Sequence, residues 1–294
     1  PTGPVRRAAF RTSNGEVHMT TATRTPSSTA TSTGTATSTG RIVWHELMTT
    51  NPKGAVDFYT RLLGWNVTDF PGASTPYRMW TNKGNTLGGV MEFPAEAKKS
   101  GTVPHWLMYV GVSSVDDTFR QATRLGAQIH VKPTDIPTVG RFAVLKDPQG
   151  AAFAIFQPTD GGQGPSEGGD VGTFSWHELV TTDWKAAAVF YEKIAGWEKR
   201  DAHDMGDMGT YQLIGRPGSP APLGGMMNKS KEVPAVGWNC YIRVPDIDRA
   251  AADIIRLGGK LVHPPVEVPG GDRIVKAFDP QGGAFALHWV KAKN

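Results

Sequence analysis

The sequence predicts an α+β protein of two tandem domains, each made of two units of strand, helix and three strands. Two observations carry this prediction. The 294 residues contain a repeat with a spacing of 132, and each copy alternates apolar runs of strand length with two helical segments that end at glycine. With 39% hydrophobic residues, the chain is also long and apolar enough to form two packed cores.

The repeat runs through most of the chain. Identical residues separated by 132 positions occur along both copies, and they indicate two homologous domains. The clearest pairs are Trp44 and Trp176, Tyr59 and Tyr191, Gly64 and Gly196, Trp106 and Trp238, Tyr109 and Tyr241, Arg141 and Arg273, and Asp147 and Asp279. The pair Gly88-Gly89 returns only at Gly224-Gly225, which predicts a four-residue insertion in the loop before it.

Composition sets the domain boundaries. We place the first domain at residues 41–158 and the second at 173–291. The intervening segment 159–172 is rich in glycine and polar residues, as linkers are. Residues 1–40 are predicted to be a disordered tail, because residues 20–39 hold fourteen Ser or Thr and cannot bury enough apolar surface to offset the entropy of ordering.

The first unit of each domain has clear local signals. In the first domain, "RIVWHELMTT" is typical of a strand. A helix is predicted to begin at Asn51, with Pro52 in its first turn and the apolar residues Val56, Tyr59 and Leu62 at helical spacing. The runs "YRMWTN" and "TLGGVMEF" follow as strands joined by turn residues.

The second unit repeats this order. "HWLMYVGV" predicts a strand, and "VDDTFRQATRLG" predicts a helix that ends at Gly126. The runs "AQIHVKP", "RFAVLKD" and "AAFAIFQP" predict three further strands. The equivalent segments of the second domain give the same reading, so the chain contains four such units.

Charge and cysteine content exclude several classes of function. The net charge is +4 with acids and bases interspersed, which argues against nucleic-acid or anionic-membrane partners. No apolar run approaches the roughly eighteen residues of a membrane helix. The single cysteine, Cys240, excludes an intrachain disulfide and a multi-thiolate metal cluster, and it fits a reducing compartment, so we expect a cytoplasmic location.

The four-unit pattern resembles the vicinal oxygen chelate superfamily, which includes glyoxalase I, extradiol dioxygenases and bleomycin resistance proteins. The "FYTRLLGW" helix end and the "DPQGAAFAIF" hairpin carry the resemblance, which extends over about residues 41–291. Two fused domains make the chain most similar to tandem glyoxalase-like proteins. The resemblance implies mixed sheets that curve around a cavity, with helices outside and, in metal-using members, one divalent ion held by four His, Glu or Gln side chains.

Most positions that hold metal ligands in metal-using members of the superfamily are occupied in this sequence by residues that cannot bind a metal. The positions that the resemblance indicates are Ala154, Ala286, Leu107, Asn239, Trp44 and Trp176, or His45 and His177 after a shift of one residue. Alanine and leucine cannot bind a metal, and asparagine is a poor ligand for transition ions. We therefore predict no metal and no other cofactor. A divalent metal would be required only under the alternative function given below.

Strand alternation separates the two residues of the repeated His-Glu pair. Successive side chains point to opposite faces of a sheet, so Trp44 and Glu46 share one face while His45 and Leu47 share the other. Leu47 is expected to pack under the helix. His45 and His177 are therefore interpreted as structural histidines near the helix layer, and Glu46 is placed in the cavity.

The same alternation gives a set of candidate ligand-binding residues. These are Trp44, Glu46, Tyr109, Trp176, Glu178, Asn239, Tyr241, Arg243 and His288. Glu46, Glu178 and His288 are the candidates for acid–base chemistry, and the catalytic residue, if there is one, is left open. Arg141 and Arg273 can serve the fold or bind an anion. The Gly88-Gly89 and Gly224-Gly225 pairs lack a phosphate-loop context and are expected to permit strand curvature.

The leading hypothesis is a glyoxalase-like protein that binds a small, partly aromatic organic molecule without a complete metal site. The alternative is a divalent-metal-dependent lyase, isomerase or dioxygenase that uses His45, Glu46 or Glu92. Whether the protein is an enzyme is left open. Four units in one chain favour a monomer, with a dimer as the other possibility, and the expected partner is the small molecule alone.

Overall fold

The computed structural model describes residues 38–70, 77–94, 97, 99, 101–159 and 169–292. Most of the predicted tail at 1–40 and of the predicted linker at 159–172 lies outside these ranges, so both stay predictions. Within the described ranges, no helix has the length and apolar character needed to cross a membrane.

The first repeat forms one mixed sheet with helices on one face. In chain order its elements are β1 (Ile42–Thr49), α1 (Pro52–Leu63), β2 (Asn66–Asp69), β3 (Arg78–Asn82), β4 (Asn85–Glu92), β5 (His105–Gly111), α2 (Val115–Arg124), β6 (Gln128–Ile136), β7 (Gly140–Lys146) and β8 (Ala152–Pro158). The strand order is β2-β3-β4-β1-β5-β8-β7-β6. The antiparallel pair β1–β5 joins the two units at the centre of the sheet.

The second repeat forms the equivalent sheet. Its elements are β9 (Phe174–Thr181), α3 (Trp184–Ala195), β10 (Glu198–Asp204), a 3-10 turn (Gly206–Met208), β11 (Thr210–Gly215), β12 (Gly224–Asn228), β13 (Gly237–Arg243), α4 (Ile247–Arg256), β14 (Lys260–Leu261), β15 (Val266–Glu267), β16 (Arg273–Phe278) and β17 (Ala284–Trp289). The order β10-β11-β12-β9-β13-β17-β16 matches that of the first sheet, and β14 and β15 both pair with β16. The predicted fold class is confirmed.

The two sheets differ in one strand. The second domain has β14 and β15 where the repeat predicts a single strand equivalent to β6. Pro264 and Pro265 lie between them, and proline has no N–H to donate to a neighbouring strand. β6 contains only Pro133, which falls at a shift in register between Val131 and Thr134.

Local capping explains where the first helix of each domain begins and ends. The Asn51 side chain accepts a hydrogen bond of 3.0 Å from Gly54 N, and Asp183 caps α3 in the same way. Both helices end at a glycine in the left-handed region, Gly64 and Gly196, each with φ of 70°. The sequence prediction of a helix from Asn51 and Pro52 is confirmed.

The two domains share one core. Tyr59 on α1 makes an edge contact with Phe285 on β17, with ring centroids 5.4 Å apart, and it donates a hydrogen bond of 3.2 Å to Asp279. Tyr191 on α3 makes the reciprocal hydrogen bond of 3.2 Å to Asp147. Reciprocal contacts of equivalent residues are what an approximate two-fold axis between the repeats produces. Each first helix therefore packs on the closing hairpin of the other domain.

Candidate functional site

The central strands β1 and β9 place equivalent glutamates on one face of each sheet. Leu47 and Leu179 are fully buried in the core under the helices. Because neighbouring side chains alternate, Glu46 and Glu178 point to the opposite side, which we call the far face. Both glutamates are nevertheless buried, at 3% and 5% exposure. A buried carboxyl group requires partners, and the partners differ between the two domains.

A glycine beside each glutamate makes room for a tyrosine. A Cβ atom at Gly89 would lie 2.0 Å from the Tyr77 hydroxyl and 2.9 Å from Glu46 Oε1. A Cβ atom at Gly225 would likewise lie 2.2 Å from the ring of Tyr211. These glycines are therefore required by the close approach of a phenol to the far face, which is a more specific reason than the strand curvature expected from the sequence.

The first domain holds its glutamate in a network of neutral groups. Tyr77 donates a hydrogen bond of 2.6 Å to Glu46 Oε2, and Trp44 Nε1 lies 3.1 Å from the Tyr77 hydroxyl and 3.4 Å from the same carboxylate oxygen. Glu46 Oε1 is buried and has no hydrogen-bond partner. Burial raises the pKa of Glu46 to about 8, although the hydrogen bonds from Tyr77 and Trp44 oppose this shift. At neutral pH Glu46 is therefore mostly protonated.

An aromatic cluster continues from this carboxyl group across the neighbouring strands. Tyr109 lies directly opposite Trp44 in the β1–β5 register. Its ring centroid is 6.3 Å from that of Phe142 and 6.5 Å from that of Phe156. All four rings are half-buried, so each keeps an exposed part. The far face of the first sheet thus combines aromatic surface with one protonated acid.

The second domain gives its glutamate a cation. Lys276 Nζ lies 2.5 Å from Glu178 Oε1, and Tyr241 donates a hydrogen bond of 3.0 Å to Oε2. Asn239 contributes a longer contact of 3.4 Å to Oε1. The residue equivalent to Lys276 in the first domain is Val144, which carries no charge. The two equivalent glutamates therefore have different partners: a lysine cation in the second domain and only neutral groups in the first.

His288 and Arg243 lie on neighbouring strands in the second domain, paired in the β13–β17 register. His288 Nδ1 is 3.0 Å from Ser175 Oγ, and its Nε2 is 3.1 Å from Asp272 Oδ2. Burial lowers the pKa of His288, while Asp272 opposes this and Arg243 adds to it. Arg243 donates to the Gly169 carbonyl. Polar groups of the chain itself therefore engage both side chains, and neither makes a described hydrogen bond to Glu178.

The remaining candidates lie elsewhere. Arg141 binds Asp116 at the start of α2 with a contact of 2.9 Å, and Arg273 binds Asp248 on α4 at 2.6 Å. These equivalent ion pairs tie a strand to a helix, which supports the fold role weighed for the two arginines. Glu92 is an exposed residue at the end of β4.

The histidines of the repeated motif meet on the helix face, between the domains. His45 Nε2 and His177 Nε2 are 2.8 Å apart, and the His45 ring stacks on Phe174 with centroids 3.5 Å apart. Cys240 joins them: one potential metal-binding atom from each of the three side chains lies within 4.8 Å of the others. The structure thus brings together three groups able to bind a metal ion, on the side of the sheets opposite Glu46.

The fold and these sites can be compared with known proteins. The family model described as Glyoxalase/Bleomycin resistance protein/Dioxygenase superfamily matches residues 41–155 and 173–287. The chain belongs to this superfamily. The tandem arrangement expected from the sequence is confirmed.

Relatives of this superfamily member include biosynthetic and glyoxalase-like proteins. Anthracycline biosynthesis protein DauV of Streptomyces sp. (strain C5) is 27% identical over 276 residues, which cover 84% of this chain and 92% of that protein. Putative glyoxylase CFP32 of Mycobacterium bovis is 39% identical over 120 residues, covering 40% and 44% of the two chains.

Solved structures of the superfamily share the fold. A Mn(II)-bound glyoxalase from Novosphingobium aromaticivorans aligns with a TM-score of 0.60 and 14% identity, covering 85% of this chain and 82% of that one. The 2,3-dioxygenase LapB from Pseudomonas sp. KL28 aligns with a TM-score of 0.59 and 11% identity, covering 86% and 92%. At these identities the likeness concerns the fold alone.

The far faces do not fit the divalent ion that metal-using superfamily members hold. Ala154 and Ala286 occupy the expected closing positions, fully buried and in register with Tyr109 and Tyr241. A divalent ion in a protein needs several N, O or S ligands. Within the described residues, each far face offers one glutamate at its centre, and the glutamate of the second is already paired with Lys276.

Three residues of the far faces escaped the sequence analysis: Tyr77, Tyr211 and Lys276. The tyrosines are separated by 134 residues rather than 132, so the insertion obscured their equivalence. Each tyrosine precedes the Gly-Gly pair of its domain, Tyr77 by 11 residues and Tyr211 by 13, and this shared order is the signal that could have identified them. Lys276 has no equivalent cation in the first domain, and its pairing with Glu178 depends on a register that the sequence does not reveal.

Proposed function

We propose that this superfamily member binds a small, partly aromatic organic molecule on the far face of one or both sheets, without a complete metal site there. The observation that carries the proposal is the buried Glu46 carboxyl group. Its Oε1 has no hydrogen-bond partner, and aromatic side chains lie on the same face of the sheet. A buried polar atom without a partner is costly, and a ligand that supplies the missing hydrogen bond would remove that cost.

The first domain is the better candidate site. Trp44, Tyr109, Phe142 and Phe156 supply apolar contact area to a ring system, and the protonated Glu46 supplies a hydrogen bond to a carbonyl or hydroxyl group. The relative DauV is named an anthracycline biosynthesis protein, which supports an aromatic ligand for this chain as well.

The second domain would bind by different chemistry. Its candidate residues are Trp176, Glu178, Asn239, Tyr241, Arg243 and His288. The Glu178–Lys276 ion pair fixes a charged group beside Asn239 and Tyr241, so this site would orient polar ligand atoms. His288, held between Ser175 and Asp272, remains the candidate base of this domain.

If the first site performs chemistry, Glu46 is the group that would transfer the proton. A carboxyl group whose pKa lies near neutrality can both donate and accept a proton under physiological conditions. The alternative function, a divalent-metal-dependent lyase, isomerase or dioxygenase, lacks support from the donor set of either far face.

Titration with flavone, an aromatic ketone that does not ionise near neutral pH, tests the proposal through quenching of tryptophan fluorescence. Flavone should bind, and its affinity should fall as pH rises through about 8, because the protonated Glu46 donates to the ketone. Glu46→Gln should remove the pH dependence, and Glu46→Ala should weaken binding by about 10-fold, the value of one hydrogen bond. Glu178→Gln, at the equivalent position of the other domain, is the matched control and should keep the pH dependence.

Two results would contradict the proposal. One is flavone binding that is indifferent to all Glu46 variants. The other is a stoichiometric divalent ion in the purified protein that is lost in Glu46→Gln, which would favour the metal-dependent alternative.

We further propose a monomer in a reducing, cytoplasmic compartment. The shared core between the repeats supports a monomer, because each repeat already covers the helix face of the other. The single buried cysteine supports the compartment.

A further inference from the structure

The pair His45 and His177 is buried at the centre of the molecule, where the two domains meet. The exposed fractions are 4% and 5%, and the ring centroids are 5.1 Å apart. Neither histidine takes part in the ligand binding proposed above, since both lie on the helix face. Two imidazoles in an apolar core require an explanation, because each buries polar nitrogens away from water.

Backbone carbonyl groups lie near the Nδ1 side of each ring, and the two Nε2 atoms lie close together between the rings. His177 Nδ1 lies 3.4 Å from the Leu223 carbonyl. In the first domain the equivalent Leu87 carbonyl faces His45. Burial lowers the pKa of His45, and this carbonyl opposes that shift. His45 Nδ1 nevertheless has no hydrogen-bond partner of normal geometry. In the metal-free protein one Nε2 donates a hydrogen bond of 2.8 Å to the other. When both rings instead carry their proton on Nδ1, toward these carbonyls, both Nε2 lone pairs are free to bind an ion. A metal-binding histidine in proteins usually has this arrangement.

Cys240 completes the cluster. Its sulfur is buried and lies within the same 4.8 Å group as the two imidazoles. The strand register sets Cys240 opposite His177 on β13, and Met108 opposite His45 on β5. Cys240 is the only cysteine of the chain, and Met108 occupies the equivalent position in the first domain. Thiolate is a soft ligand and imidazole a borderline one.

We propose that His45, His177 and Cys240 form a binding site for one cuprous ion at the interface between the domains. On binding, the Cys240 thiol loses its proton to solvent, and the thiolate and the two neutral imidazoles each donate one electron pair to the ion. The charges of Cu⁺ and thiolate cancel, so the occupied site is neutral. A zinc ion on the same ligands would leave a net positive charge in the core, which is unfavourable in surroundings of low polarity.

The two imidazoles need only a small adjustment to hold the ion between them. Nitrogen ligands at about 2.0 Å from a metal and separated by a tetrahedral angle are about 3.3 Å from each other. The present separation of 2.8 Å must therefore widen by about half an ångström. The site is distinct from the superfamily's metal position, because it lies on the opposite face of both sheets.

Competition with bicinchoninate under anaerobic, reducing conditions tests this site with Cu⁺ alone as the probe. The full-length protein should withdraw one equivalent of Cu⁺ from the chelator and gain a thiolate-to-copper absorption band in the ultraviolet, which can arise only from Cys240. Cys240→Ser should abolish the band and weaken binding more than about 100-fold, since even the loss of an outer-shell partner costs about 10- to 100-fold. His130→Asn, which removes an exposed histidine far from the cluster in sequence, should bind like the wild type.

A second measurement on the wild type makes the test independent of how well the variants fold. X-ray absorption at the copper edge should count two nitrogen ligands and at least one sulfur ligand. Failure to compete with bicinchoninate, unchanged uptake by Cys240→Ser, or tighter binding of Zn²⁺ than of Cu⁺ at these residues would each overturn the proposal. Flavone binding is unaffected by any of these outcomes, so the two proposals can fail separately.

Discussion

Equivalent glutamates in the two domains differ because of one neighbouring residue. Glu178 is paired with Lys276, whereas Glu46 has Val144 at the position of that lysine and only neutral donors around it. Burial therefore keeps Glu46 protonated near neutrality, whereas Glu178 lies in contact with a lysine ammonium group. The presence of Lys276 in one domain and Val144 in the other thus gives two equivalent glutamates different surroundings.

The raised pKa of Glu46 predicts a specific dependence of stability on pH. The folded protein holds this proton up to about pH 8, whereas an unfolded glutamate loses it near 4.5. The contribution of this proton to the free energy of unfolding is therefore complete below about pH 4.5. It decreases by up to about 5 kcal/mol as the pH rises to about 8. Glu46→Gln removes this contribution, so its free energy of unfolding should rise relative to wild type between these pH values.

Urea unfolding from pH 4.5 to 9 measures this difference, and the comparison with wild type removes the contributions of the buried histidines. Glu178→Gln is the control, and it should follow wild type in this part of its pH dependence. A constant difference between Glu46→Gln and wild type over the whole range would show that Glu46 is ionised in the folded protein.

At the scale of single elements, the closing turns of the two domains are equivalent in sequence but not in contacts. Gln149, in the turn before β8, accepts hydrogen bonds of 2.9 Å from Thr181 Oγ1 and 2.6 Å from Asp183 N, and donates one of 2.8 Å to the Asp183 carbonyl. These contacts attach the first domain to the start of α3. The equivalent Gln281 has a buried Oε1 without a partner.

This difference predicts unequal effects of the same substitution. Gln149→Ala leaves several polar groups at the start of α3 without their partner and should lower the free energy of unfolding by about 2–3 kcal/mol. Gln281→Ala removes a side chain that already lacks one hydrogen bond, and should cost less than about 1 kcal/mol. Chemical denaturation of both variants checks the comparison. Equal losses would mean that the turns contribute through their backbone rather than through these amides.

Local sequence signals were sufficient for the elements and for the face on which most candidates lie. Asn51, Gly64 and the strand alternation around Glu46 are short-range features, and the structure follows them. The contacts of Lys276 and Cys240 could not be predicted, because they depend on strand register and on how the two domains pack. Cys240 read alone is a small buried residue; only packing brings it to two histidines from other strands.

At the scale of the whole molecule, the shared core predicts that neither domain is stable alone. Tyr59, Tyr191 and the closing hairpins are buried by the other domain, so each separated half would expose the apolar residues of its helix face. Residues 38–159 and 169–292, co-expressed as separate chains, should purify as a one-to-one complex.

Size-exclusion chromatography with light scattering measures this association. Halves that carry Glu46→Gln are the control and should associate equally well, since Glu46 lies on the far face. A half that remains monomeric, folded and soluble by itself would contradict the expectation.

The meeting of His45 with His177 has a consequence for how such a centre can arise. In a homodimer of one ancestral half, a residue on the symmetry axis meets its own copy, so one codon change would install both imidazoles at once. Fusion of the two genes then lets each copy mutate separately, as the thiol of Cys240 and the thioether of Met108 illustrate at a matching position. The symmetry of the dimer would have supplied the two histidines. The later divergence of the two copies would have supplied the thiol of Cys240.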